Sequence, residues 1–302
     1  MALELVQKQP MMRKVIYSLI PIYVFSFYLY GLNLLLLTVL VFTAGFFTEF
    51  IVERTREKKV SEALFVTCML YLLSLPAKTP WWIAVIGIVF GVLFGKEVFG
   101  GFGKNIFNPA IVGRLFVYIS FPNNIKGFAD IPGMALNFDS TTAATPLEII
   151  RNGGSIDVLK LLFGWHPSSM GEGCIMLIIL AGVYLIFTKT ANWYIIVSTL
   201  ISAIMLSFGL DLLNIPKALP ALPSLLSGSF FFVAVFMATD PISAPKKNLS
   251  RIFYGIIIGS VTILVRTYSL FPEGTSFGVL IGNTFASLLD EIIPQPKSRA
   301  KK

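Results

Sequence analysis

Histidine and cysteine are nearly missing from this chain: 302 residues hold one His and two Cys. Cys68 and Cys174 sit far apart inside apolar runs and form no CxxC or Cys/His spacing. That excludes an iron–sulfur or zinc centre built by this chain alone and casts both as small core residues. His166, between Trp165 and Pro167, has no second histidine to join in a metal site and reads as a loop residue. No Ser-His-Asp set, carboxylate pair or zincin motif appears, so a self-contained hydrolase is excluded as well. Charge is equally scarce. Only 13% of residues are Asp, Glu, Lys or Arg, against about 25% in a soluble domain.

What fills the space is apolar. Hydrophobic residues make up 55% of the chain, and the mean hydropathy is +0.79. Ten segments approach the length of a bilayer-crossing helix: 15–31, 32–52, 61–76, 81–95, 106–121, 171–188, 192–213, 224–239, 251–269 and 275–293. Several are short or broken by Gly and Pro, which lipid tolerates only where protein or a cavity shelters them. Lys8, Arg13 and Lys14 precede the first run, but no small-residue cleavage site follows it, so a removable signal is not expected.

The formal charge of +8 then reads as loop charge rather than as a nucleic-acid footprint. With ten spans and the N-terminus inside, seventeen basic residues fall on the inner side and six on the outer. This places both termini in the cytoplasm and the polar stretch 121–170 outside. The halves also echo one another. Pro76-x-x-x-Pro80 leads to Gly87-x-x-x-Gly91, as Pro241-x-x-x-Pro245 leads to Gly255-x-x-x-Gly259; Asn108-Pro109-Ala110 has a weaker echo at Asn283. Five spans per half is odd, so the repeats would be inverted, with a binding site at their interface. The expectation is one all-α polytopic membrane domain, 1–302, with repeats 1–121 and 171–302 around the extracytoplasmic segment 122–170.

Three stretches can carry chemistry. Gly95–Ala110 supplies Gly100, Gly101 and Gly103 for close backbone approach, with Lys96, Lys104, Asn105 and Asn108 as donors. It is neither a Walker loop nor a Rossmann turn. Asp240, before Pro241, caps a turn or meets a ring. Arg114, one turn into the fifth segment, needs a partner at that depth; Asp240 and Glu97 are the candidates. Glu49, Glu62, Asp211, Asp290 and Glu291 near segment ends read as solvated headgroup residues. In the outer stretch, Asp139-Ser-Thr-Thr-Ala-Ala-Thr145-Pro-Leu-Glu148 reads as a helix start, with Thr145 as N-cap, Pro146 at the first position and Glu148 completing a capping box. A helix start suits phosphate.

The blocks Gly95–Arg114, Asp139–Leu147 and Met237–Ala244 are similar to those of the family holding the D subunit of the Rnf ion-translocating ferredoxin:NAD oxidoreductase and the B subunit of the sodium-pumping NADH:quinone oxidoreductase. The resemblance implies an inverted five-plus-five bundle of the urea-transporter type, with broken or re-entrant helices. It implies FMN joined by a phosphoester to Thr145, with Asp139, Thr142 and Ala144 as the other motif positions and Ala143 where the pattern carries glycine. It further implies a second, non-covalent flavin (riboflavin or another FMN) near the glycine-rich and Asp240 segments. The partners implied are Rnf subunits A, B, C, E and G, foremost the FMN-bearing G subunit, together with a flavin transferase, Na⁺ or H⁺, and the lipid bilayer. The resulting expectation is an electron-carrier subunit, inactive alone, in the inner membrane of a bacterium or archaeon. A small-solute channel and a cofactor-free scaffold are the competing readings.

Overall fold

Almost every long apolar run of this chain forms a helix, because in lipid a helix alone satisfies its own backbone. The computed structural model describes residues 6–125, 128–129, 142–215, 217–269, 271 and 274–294. In the first half come β1 (Val6–Gln7), α1 (Pro10–Tyr30), α2 (Leu32–Thr55), β2 (Val60–Ser61), α3 (Ala63–Leu73) and α4 (Trp81–Gly95). A 3-10 turn (Glu97–Phe99) and α5 (Pro109–Ser120) close that half. Short elements follow: α6 (Pro122–Ile125), β3 (Phe128–Ala129), β4 (Thr142–Ala143), α7 (Pro146–Arg151) and α8 (Val158–Phe163). The second half holds α9 (Ile175–Phe187), α10 (Trp193–Leu212), α11 (Ala221–Leu226), α12 (Phe230–Phe232), a π-helical turn (Val233–Met237), α13 (Asn248–Tyr268) and α14 (Gly274–Ile292).

Helical structure thus occupies all ten apolar segments. By length and composition, four described stretches can cross a membrane: Leu32–Thr55, Trp81–Phe99, Trp193–Leu212 and Asn248–Tyr268. Helices α3, α5 and α9 are apolar but shorter. Burial sorts the two kinds. Helix α2 leaves Leu35, Leu36, Val39, Phe47 and Ile51 exposed, a surface suited to hydrocarbon. Helix α3 buries every residue except Phe65 and runs through the interior.

A short interior helix must find partners for its last carbonyls. Ser74 N and Leu75 N meet those of Leu70, Tyr71 and Leu72, and the stretch before α9 meets the last, where Gly171 N donates to Leu73 O at 2.6 Å and Met170 N to Leu75 O, just beyond α3, at 2.9 Å. Pro76 and Ser169 form an isolated bridge beside them, and Ser26 Oγ donates to Met170 O. Residues 168–174 are buried throughout. Part of the stretch expected outside therefore folds inward and seals the break in α3.

Two small pairings fix the ends. β1 lies parallel to β2, with Val6 opposite Val60. β3 lies antiparallel to β4, with Phe128 opposite Ala143. Helix α4 packs on α2 and α5, while α13 packs on α10 and α14. Glycine permits both contacts: a Cβ on Gly91 would sit 2.6 Å from Pro109 O of α5, and one on Gly259 would sit 2.5 Å from Thr199 O of α10.

Candidate functional site

Thr145 stands at the start of α7 with φ −69° and ψ 155°, and its hydroxyl accepts from Glu148 N at 3.4 Å. The expected cap is present, and Pro146 follows it as the first helical residue. Thr145 is half-buried and Ala144 exposed. Ala143 lies in the extended backbone of β4, so a non-glycine residue is accommodated there. Asp139 lies outside the described residues; Thr142 is described as the backbone of β4.

The short helix behind Thr145 is well anchored. Leu147 and Ile150 form a buried cluster with Leu219. Arg151 Nη2 donates to Arg266 O at 2.9 Å and Phe271 O at 3.3 Å. The hydroxyl is thus held on a fixed platform against the second half, with one side open.

The glycine-rich and Asp240 segments meet at a second place. A cavity of about 50 Å³ is lined by Thr67, Asn105, Asn108, Thr190, Thr239 and Asp240 among others. Asn108 ties the halves together: its Oδ1 accepts from Ala110 N at 3.0 Å while its Nδ2 donates to Met237 O at 3.2 Å. That second bond satisfies a carbonyl at the end of the π-helical turn, an irregularity frequent at functional sites. Asp240 makes a tight turn of its own, accepting from Ser243 Oγ at 2.9 Å and Ile242 N at 3.4 Å. Its turn role and its place at the cavity coexist.

Not all the segment's residues face this cavity. Lys104 is exposed and lies against Gly100. Gly100, Gly101 and Gly103 all have positive φ and form a loop whose Gly101 abuts Glu53. The cavity accommodates one or two waters; a three-ring flavin needs its walls to move.

Arg114 is fully buried, and its partner is Glu172, at 2.6 Å, in place of the expected Asp240 or Glu97. Arg114 also lies over the Tyr118 ring, 5.5 Å from its centroid. Glu172 was not among the expected partners: it stands at the head of the apolar segment 171–188, in the stretch before α9 that turns inward. Glu49 also departs from expectation: it is buried and bonded to Lys96 Nζ at 2.5 Å and Ser61 Oγ at 2.8 Å. His166 is buried as well, with Nδ1 3.2 Å from Lys160 O. Burial pushes its pKa below the ordinary histidine value, with the Lys160 carbonyl opposing that shift. Among the described residues no cluster of three or more His, Cys, Asp or Glu is arranged for a metal ion.

Long apolar helices, broken interior helices and a cavity lined from both halves define a multi-pass membrane protein. The chain belongs to the NQR2, RnfD, RnfE family, whose model matches residues 5–298. It is 36% identical to the B subunit of the Na(+)-translocating NADH-quinone reductase of Azotobacter vinelandii over 266 residues, 84% of this chain and 65% of that protein. The corresponding protein of Yersinia pestis, which bears the same name, is 34% identical, over 87% of this chain and 66% of that protein. The match to its Neisseria meningitidis namesake is also 34% identical, over 87% and 67%. The chain therefore spans about two thirds of the length of these relatives.

Proposed function

We propose that this chain is an electron-carrying membrane subunit of an Rnf-type ion-translocating oxidoreductase, bearing FMN in phosphoester linkage to Thr145. The observation that carries the reading is the Asp139–Glu148 run in a family member, with Thr145 half-open at the head of an anchored helix. Bound there, FMN supplies redox chemistry in one- or two-electron steps, and the protein supplies position and electrostatics. Esterification would remove the Thr145 hydroxyl proton and keep its Oγ as the bridging oxygen, so Glu148 N, which donates to that Oγ, would stand beside the phosphate. Leu147, Ile150 and Arg151 hold α7 in place.

On this reading the chain serves electron transfer between ferredoxin and NAD, coupled to movement of Na⁺ or H⁺. Rnf subunits A, B, C, E and G and a flavin transferase are its partners, with both termini cytoplasmic and Thr145 on the opposite face. The ten helical segments then form two inverted five-helix repeats of the urea-transporter type. A second, non-covalent flavin is assigned to the cavity region, where Asn105, Asn108 and Asp240 offer hydrogen-bond partners once the walls part. The same cavity favours one rival, a small-solute channel.

The test is a denaturing gel of protein made beside the transferase, viewed under ultraviolet light. A fluorescent band in wild type that is lost in Thr145→Ala and kept in Thr145→Ser supports the carrier. A dark wild-type band, with solute flux through the purified chain in vesicles, would favour the channel.

A further inference from the structure

The end of the bundle that holds the β1–β2 pair contains a group of charges outside the sites described above. Glu53 and Glu97 have side chains 4% and 2% exposed. Arg56 touches one oxygen of each, with Nη1 3.7 Å from Glu53 Oε1 and 3.1 Å from Glu97 Oε2. Arg56 Nη2 also donates to Glu97 O at 2.7 Å. The remaining oxygens, Glu53 Oε2 and Glu97 Oε1, are buried and accept from no donor among the described residues. The two carboxyl groups thus flank one guanidinium nitrogen, each with a buried oxygen left over. Two buried carboxylates that share a single cation repel, and a proton on one of them relieves the repulsion.

Two nearby cations are engaged elsewhere. Lys96 is committed to Glu49 and Ser61, and Lys58 donates to Gly100 O at 3.2 Å. Glu53 and Glu97 share the Arg56 guanidinium, while Glu49 takes Lys96. A metal cation would have to sit beside the Arg56 guanidinium, whereas a proton adds no volume. An opening of about 580 Å³, lined by Gln7, Glu49, Glu53, Lys58, Lys59 and Phe102 among others, gives Glu53 access to the surface.

We propose that Glu53 and Glu97 form a single exchangeable-proton site at this opening, one proton being held by the pair on an unpartnered oxygen. The proton comes from and returns to water in the opening, leaving two carboxylates that repel. Gly101 connects this event to the cavity. A Cβ there would lie 2.0 Å from Glu53 Oε1, so Glu53 abuts the backbone of a loop whose Phe102 and Asn105 line the cavity. Loss of the proton drives Glu53 toward that loop. The inference needs neither the flavin nor its attachment to Thr145.

The test is infrared difference spectroscopy of the full chain in detergent, titrated with acid and base in H₂O and D₂O. The expected result is a deuterium-sensitive band of a protonated carboxyl that fades as pH rises. It should be absent from both Glu53→Gln and Glu97→Gln and retained in Glu49→Gln. Where a variant fails to fold, wild type labelled with carboxyl-¹³C glutamate gives the answer alone: the band shifts with the label. No such band in wild type, a band that ignores the label, or one that survives either pair substitution would overturn the proposal. A band displaced by Na⁺ at fixed pH would overturn it also, by making the site one for a metal cation.

Discussion

Arg114 and Glu172 set the cost of a wrong residue at depth. Both are almost fully buried, 0% and 3% exposed at the side chain. Removing one partner strands a charge, which costs about 3–5 kcal/mol, while an apolar pair of similar volume is tolerated. Arg114→Met or Glu172→Gln should each lower the melting temperature in detergent markedly, and the Arg114→Met/Glu172→Met double variant should recover part of the loss. Equal losses in all three would contradict the pairing. His166 makes a pH prediction with a definite sign. Its depressed pKa means that the unfolded chain binds more protons once pH falls below about 6.5. The stability it contributes is present above that value and is lost as pH falls. Replacing it in His166→Gln should flatten the melting temperature against pH in that window. Of these residues the sequence showed Arg114 as needing a partner, but no periodicity links it to Glu172. A buried pair between a helix and an inward-turning loop leaves no spacing to read.

At the scale of elements, the sequence marked each broken helix well and the contacts of its glycines less well. Pro76 and Pro241 do lie in the breaks that precede α4 and α13. The two Gly-x-x-x-Gly pairs, however, face different neighbours. Gly87 and Gly91 press on Tyr71 of α3 and on α5, whereas Gly255 and Gly259 press on Ser198, Ser202 and Thr199 of α10. Spacing announces a close helix contact without saying which helix supplies it. Gly91 and Gly259 each meet backbone, which cannot swing aside, so Gly91→Val and Gly259→Val should both reduce the yield of folded protein sharply. Gly209→Ala, with nothing within 4 Å, is the control. Normal folding of Gly259→Val would contradict the packing described.

For the whole molecule, the ten apolar segments were legible from hydropathy, and helical structure is found in each of them. Length and composition together qualify four described stretches as spans; α1 and α14 are long enough but fall outside that set, and interior helices such as α3 are short. The proposed topology therefore needs its own measurement. Reporter fusions at the C-terminus and after Ser155 should report opposite sides of the membrane. The same side for both would remove the ten-span arrangement. The inward fold of residues 168–174 was not legible, since a polar loop looks alike in the interior and in water. The proposed flavin site was legible only as a motif, and what the structure adds is the half-buried Thr145 capping α7.

The proposed attachment is open to direct measurement. Trypsin cutting after Lys126 and Arg151 releases residues 127–151, which hold Thr141, Thr142 and Thr145 as the only threonines. Tandem mass spectrometry of this peptide, from protein made beside a flavin transferase, should find the FMN phosphoester mass on Thr145. An unmodified peptide, or FMN on Thr141 or Thr142, would contradict the account.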